Sequence, residues 1–126
     1  MRAAVVLAVA ALLAACSGGD DKIDEATLSV RIEATEAEIQ TRIGPALCSL
    51  DSDCRALPMG ALACGGPSRF LPYSIRNTDV DELMRRSAEH QRLSAEQLAA
   101  SGPAVGPCIA LVPPLPSCEL LSCKLR

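Results

Sequence analysis

Apolar and polar positions change rhythm several times along this chain, and each change suggests an element. Residues 1–15, MRAAVVLAVAALLAA, are apolar apart from Arg2, and a polar stretch follows from Ser17 to Lys22. Over 24–43, Leu28, Ile32, Ile39 and Ile43 fall into a broken helical stripe. Two rival readings exist there. Thr35-x-x-Glu38 is a capping-box pattern that starts the helix later, and Leu28, Val30 and Ile32 alternate as in a short strand. Gly44-Pro45 ends or kinks the segment. Residues 54–64, CRALPMGALAC, read as a strand interrupted at Pro58 and Gly60, with Leu57, Met59, Ala61 and Ala63 on one face. Gly65-Gly66-Pro67 is a turn, and 68–77 reads as irregular.

The clearest helix begins after Thr78 or Asp79, with Asp81 and Glu82 in its first turn. Val80, Leu83, Met84 and Ala88 form its apolar face, and Leu98 and Ala99 extend it to about Ala100, unless Ser94-x-x-Gln97 starts a second helix. Gly102-Pro103 closes the segment. Cys108-Ile109-Ala110-Leu111-Val112 reads as a short buried strand broken by Pro113-Pro114-Leu115-Pro116, and 118–126 as a last strand. The expected fold class is α+β: a small antiparallel sheet of about three strands with two helical regions.

The first segment changes this picture. One basic residue, a short apolar run and small residues at its end make a secretory signal, too short to span a bilayer. Leu13-Ala14-Ala15-Cys16 matches the lipobox of bacterial lipoproteins, and Ser17-Gly18-Gly19-Asp20-Asp21 is similar to their polar tether. The resemblance implies cleavage before Cys16, a diacylglyceryl thioether on its sulfur and an acylated amino terminus. With about 0.8 kcal/mol per buried methylene, several chains anchor a protein stably. Leu13 is too large for the third-last position of an ordinary signal, whereas the lipobox prefers it. Ser17, where an Asp favours inner-membrane retention in enterobacteria, leans the expectation towards the periplasmic face of the outer membrane. The organisation is then a signal peptide at 1–15, a lipidated tether at 16–23 and a single small domain at 24–126.

Composition refines the rest. The 126 residues carry 12 basic and 15 acidic side chains, net charge -3, and no basic block, which argues against nucleic-acid binding. Losing the signal removes Arg2 and leaves 11 basic residues, net -4. Of seven cysteines, Cys16 goes to lipid. Cys48, Cys54, Cys64, Cys108, Cys118 and Cys123 then read as three disulfides in an exported domain. No C-x-x-C occurs and His90 is the only imidazole, so zinc and thioredoxin-like redox chemistry are poor fits. Two pairings have a basis. Nearly constant index sums suggest a nested set, 48–123, 54–118 and 64–108, in one antiparallel pair. A mostly local set is 48–54, 64–108 and 118–123. Cys64–Cys108 is common to both.

The remaining motifs are weak for chemistry. Asp51-Ser52-Asp53 lacks the rest of a calcium loop and reads as a turn. Gly65-Gly66-Pro67 lacks the Gly-Lys-Ser/Thr of a phosphate loop. His90 reads as an exposed helical residue with no nucleophile motif nearby. Arg85, Arg86 and Arg92 are placed for local pairs with Glu82, Glu89 and Glu96. Phe70 and Tyr73 either fill a core short of aromatics or mark a contact loop within 65–77.

The run Cys48-Ser49-Leu50-Asp51-Ser52-Asp53-Cys54-Arg55, then Cys64-Gly65-Gly66-Pro67, Tyr73-Ser74, a helix and a C-terminal cysteine triplet, resembles a family of small proteobacterial lipoproteins without assigned function. That resemblance implies no catalytic residue. The functional expectation is a lipid-anchored envelope protein with a binding or structural role, without cofactor, metal or enzymatic activity, whose partners are the membrane and an envelope protein. A small periplasmic hydrolase inhibitor is the alternative, and an enzyme of unknown type a remoter one.

Overall fold

The computed structural model describes residues 23–103 and 105–126. Cys16, the signal segment and the tether up to Lys22 lie outside them. The elements in order are α1 (Glu25–Ile43), a 3-10 turn (Asp51–Asp53), β1 (Cys54–Met59), β2 (Arg69–Ser74), α2 (Val80–Ala100), β3 (Pro116–Glu119) and β4 (Ser122–Leu125). The fold is α+β as the pattern suggested, but the strands form two antiparallel pairs, β1–β2 and β3–β4, instead of one sheet of about three.

The first helix starts at Asp24, whose carboxylate accepts from the Thr27 N–H at 2.6 Å. Thr35 is interior, and its hydroxyl donates to the Arg31 carbonyl at 2.8 Å. Val30 faces solvent while Leu28 is buried, so the two do not share a face as in the strand reading. The helix stops at Gly44, φ 55°, a conformation glycine adopts without steric cost. In α2 the Asp79 carboxylate caps through the Glu82 N–H at 3.0 Å, and the helix runs unbroken through Ser94. Its buried face is Leu83, Ser87, His90 and Leu93, while Met84 and Ala88 are exposed. The inward stripe is therefore half polar, which is why apolar spacing alone misplaced it.

Strand β1 ends at Met59 because Gly60 turns at φ 67°, so Ala63 leaves the face that it was expected to share. Residues 69–74 form β2, paired from Arg69 opposite Met59 to Ser74 opposite Cys54. The irregular reading of 68–77 is corrected here. Pro58 and Pro72 both sit in the ladder, which is tolerated because each strand of a two-stranded sheet is an edge. The expected strand at 108–112 is also corrected: that segment has no ladder and its side chains are exposed. The last strand is instead a hairpin, β3–β4, with Cys118 opposite Cys123. A bridge between Leu47 and Ser122 adds the chain before the 3-10 turn to the outer edge of β4.

Two small cores result. Ile39, Leu57, Met59, Tyr73 and Leu83 join α1, α2 and the β1–β2 pair. Full burial of each aliphatic side chain contributes about 1.5–3 kcal/mol. Ala46, Cys48, Cys54 and Cys123 form the second, which is mostly sulfur. Ion pairs rim the helix interface: Arg31–Glu89 at 3.2 Å, Arg86–Glu38 at 3.2 Å and Arg42–Glu82 at 3.4 Å. Arg85 and Arg86 also pair with Glu82, and Arg92 with Glu89 and Glu96, within α2.

Candidate functional site: sulfur cluster, buried histidine and apolar arm

All six domain cysteines are paired, as Cys48–Cys118, Cys54–Cys123 and Cys64–Cys108. Neither complete scheme read from the sequence occurs. The nested one fails because Cys54 lies on a strand that pairs with β2, and Cys118 pairs across a tight hairpin with Cys123, so no single antiparallel ladder runs through all six. The local one fails because the hairpin is bound to the 48–54 segment by two crosslinks. Cys64–Cys108 is present, exposed, and ties the loop after β1 to the segment after α2.

The other two disulfides lie against each other. The sulfurs of Cys48, Cys54 and Cys123 are all within 4.8 Å of one another, the one grouping of metal-ligand types among the described residues. Each is committed to a disulfide, so none is a thiolate ligand. The neighbouring carboxylates are also committed. Asp53 accepts from the N–H groups of Ser49 at 2.8 Å and Leu50 at 3.1 Å, and these bonds hold its pKa below the usual carboxylate range. Asp51 accepts from the Cys118 N–H at 2.7 Å, linking the 3-10 turn to β3. Asp51-Ser52-Asp53 is thus a bracing turn.

His90 is buried, only 2% exposed, contrary to its reading as a surface residue. Its Nδ1 accepts from the Gly60 N–H at 3.1 Å, which leaves the neutral ring's proton on Nε2. Nε2 faces Glu36 Oε2 at 3.6 Å, too far for a hydrogen bond, and has no partner. Glu36 is held by Arg69 at 2.7 Å. Burial pushes the imidazole pKa below 6.5; Glu36 opposes this and Arg69 adds to it. The nearby Ser87 hydroxyl donates to the Pro58 carbonyl at 2.5 Å. Histidine and serine thus both fasten β1 to α2. The sequence signal was their spacing from Leu83 and Leu93 on one helical face.

Phe70 and Tyr73 lie on a strand instead of in a loop. Tyr73 is 5% exposed within the first core and Phe70 is half-buried, both on β2. Large exposed apolar side chains occur at Val30, Leu47, Leu50, Leu120 and Leu121, and along one stretch that lacks charge. No charged residue occurs between Glu96 and Glu119. Within that interval Val105 is 100%, Ile109 68%, Val112 85% and Leu115 77% exposed. Leu62, Ala63, Ala95, Leu98, Ala99 and Pro103 line an open depression of about 520 Å³. Sequence reasoning missed the arm because an apolar run between prolines, 108–112, has the composition of a buried strand.

No helix among the described residues is long and apolar enough to cross a membrane. Comparison with protein-family models, with curated proteins and with solved structures gave no match.

Proposed function

We propose that this chain is a bacterial lipoprotein, of the small Cys-rich kind it resembles, anchored through Cys16 to the cell envelope. Its disulfide-stabilised domain presents the apolar arm at 105–115 to an envelope protein. The observation that carries the binding role is the exposure of Val105, Ile109, Val112 and Leu115 in a charge-free stretch pinned at Cys108 by a disulfide. Contiguous exposed apolar surface marks interaction sites, and pinning lowers the entropy lost when such a segment is ordered on a partner. The lipobox supports the anchor, and Ser17 supports the periplasmic face of the outer membrane. The reading is non-enzymatic and cofactor-free: the sole imidazole has its Nδ1 occupied by a backbone donor and lies inside the core. The net charge of -3 supports a partner other than nucleic acid.

Two measurements test it. Cys16→Ser moves the protein from the membrane to the soluble fraction; unchanged fractionation refutes the anchor. A photo-crosslinking residue at Val112 or Leu115 in intact cells gives a discrete crosslinked species, and one at Glu33 on α1 does not. Equal yields at all three positions refute the arm as the contact.

A further inference from the structure

We infer that Cys48, Cys54, Cys118 and Cys123 form a thiol-exchange site, entered by an external thiolate at Cys118, that converts the pairing Cys48–Cys118 and Cys54–Cys123 into Cys48–Cys54 and Cys118–Cys123. Four observations place it. Cys48 and Cys54 belong to different disulfides, yet their sulfurs are within 4.8 Å of each other, as are those of Cys48 and Cys123. Cys118 and Cys123 are directly opposed on the hairpin. Their N–H groups point away from one another, to Asp51 Oδ1 at 2.7 Å and to the Ala46 carbonyl at 2.9 Å. They are therefore a non-hydrogen-bonded pair, whose Cα atoms approach to about 4.5 Å, inside the range that a disulfide spans. Finally, Cys118 is partly exposed, whereas Cys48, Cys54 and Cys123 are buried. Cys118 is thus the one residue of the four open to solvent.

The steps balance. The incoming thiolate attacks Cys118 Sγ, forming a mixed disulfide and expelling the Cys48 thiolate. That thiolate attacks Cys54 Sγ, forming Cys48–Cys54 and expelling the Cys123 thiolate. The latter attacks Cys118 Sγ, closing Cys118–Cys123 and returning the external thiolate. Two disulfides are consumed and two are formed, so no oxidant or reductant is needed. The chemical class of the co-reactant is a thiol, whether a small molecule or a protein dithiol. The product frees the β3–β4 hairpin from both of its crosslinks to the 48–54 segment. Cys64–Cys108 takes no part, since neither of its sulfurs belongs to the cluster.

Tryptic cleavage separates the two states. Cleavage after Arg42, Arg55, Arg92 and Lys124 yields 43–55, holding Cys48 and Cys54, and 93–124, holding Cys108, Cys118 and Cys123. The mature protein is incubated with substoichiometric reduced glutathione, quenched in acid, alkylated with N-ethylmaleimide and digested without reduction. The expected result is free 43–55 with an unalkylated internal disulfide, accumulating with time. If 43–55 stays linked to 93–124, or is released only with both cysteines alkylated, the inference is overturned. In Cys118→Ser, Cys48 starts as the free thiol, and alkylation appears at Cys123, which is disulfide-bonded in the untreated wild type, as the thiol migrates. Labelling confined to Cys48 overturns the inference, and the wild-type digest decides it alone if the variant does not fold.

Discussion

The backbone N–H of Gly60 donates to Nδ1 of His90 across 3.1 Å, so a glycine just past β1 is fastened to the middle of α2 by the molecule's one imidazole. The ring nitrogen can accept only while unprotonated. Protonation there converts the acceptor into a donor and sets it against another donor inside the core.

The pH dependence of stability follows. Burial lowers the pKa of His90 in the folded chain below the unfolded value of 6.5. The unfolded chain therefore binds the proton first as pH falls. Stability is full above that value and declines as pH drops from about 6.5 towards the folded pKa. Urea midpoints measured from pH 7.5 to 5.5 should fall on the acid side, and His90→Gln should flatten that profile. The carboxylates whose pKa is lowered, such as Asp53 and Glu82, act in a separate window. Their contribution is present above about pH 4 and is lost below it.

Gly60 itself has no room for a side chain. Its φ is 67°, and a Cβ would stand 2.0 Å from Ser68 Oγ and 3.3 Å from Ser68 Cβ. Gly60→Ala should cost about 1–3 kcal/mol in chemical denaturation. The same change in a Ser68→Ala background should cost less, because the nearer clash is gone while the backbone strain persists. Equal costs in both backgrounds would show that Ser68 moves aside freely.

Cys64–Cys108 closes a loop with a sequence separation of 44. Chain-entropy arithmetic for such a loop gives about 4 kcal/mol. The double variant Cys64→Ala/Cys108→Ala should lose about 2–4 kcal/mol of unfolding free energy while helical circular dichroism is retained. Hydrogen exchange should accelerate in 61–66 and 105–112, not in α1.

The hairpin tip carries Leu120 at φ 50° and Leu121 at φ 61°, both exposed. Two positive φ values make the mirror-image turn that favours Asn-Gly. Leu120→Asn/Leu121→Gly should stabilise the fold by about 1–2 kcal/mol, raising Tm by roughly 4–8 °C per kcal/mol in a domain of this size. An unchanged or lower Tm would mean that the leucines make a stabilising contact at the tip.

Local signals were legible where the chain decides locally. Asp79 followed by acidic residues and an apolar stripe marked the start of α2, and Gly44-Pro45 the end of α1. Longer-range outcomes were not. Arg69–Ser74 became a strand because the turn from Gly60 brings it alongside β1, a choice that Pro72 concealed. Residues 108–112 have strand composition but found no edge to pair with. The burial of His90 depended on a backbone donor 30 residues away. Cysteine count gave three disulfides, while their pairing followed from a hairpin that only the folded chain displays.

All three disulfides are long-range, and this bears on the order of events in synthesis. A chain emerging amino terminus first delivers Cys48 and Cys54 well ahead of their final partners, which lie 70 and 69 residues later. Until then each is the other's nearest available thiol. A crosslink formed at that stage would join Cys48 to Cys54, and reaching the final pairing would then require exchange with a second disulfide, Cys118–Cys123, so that two are consumed and two are formed.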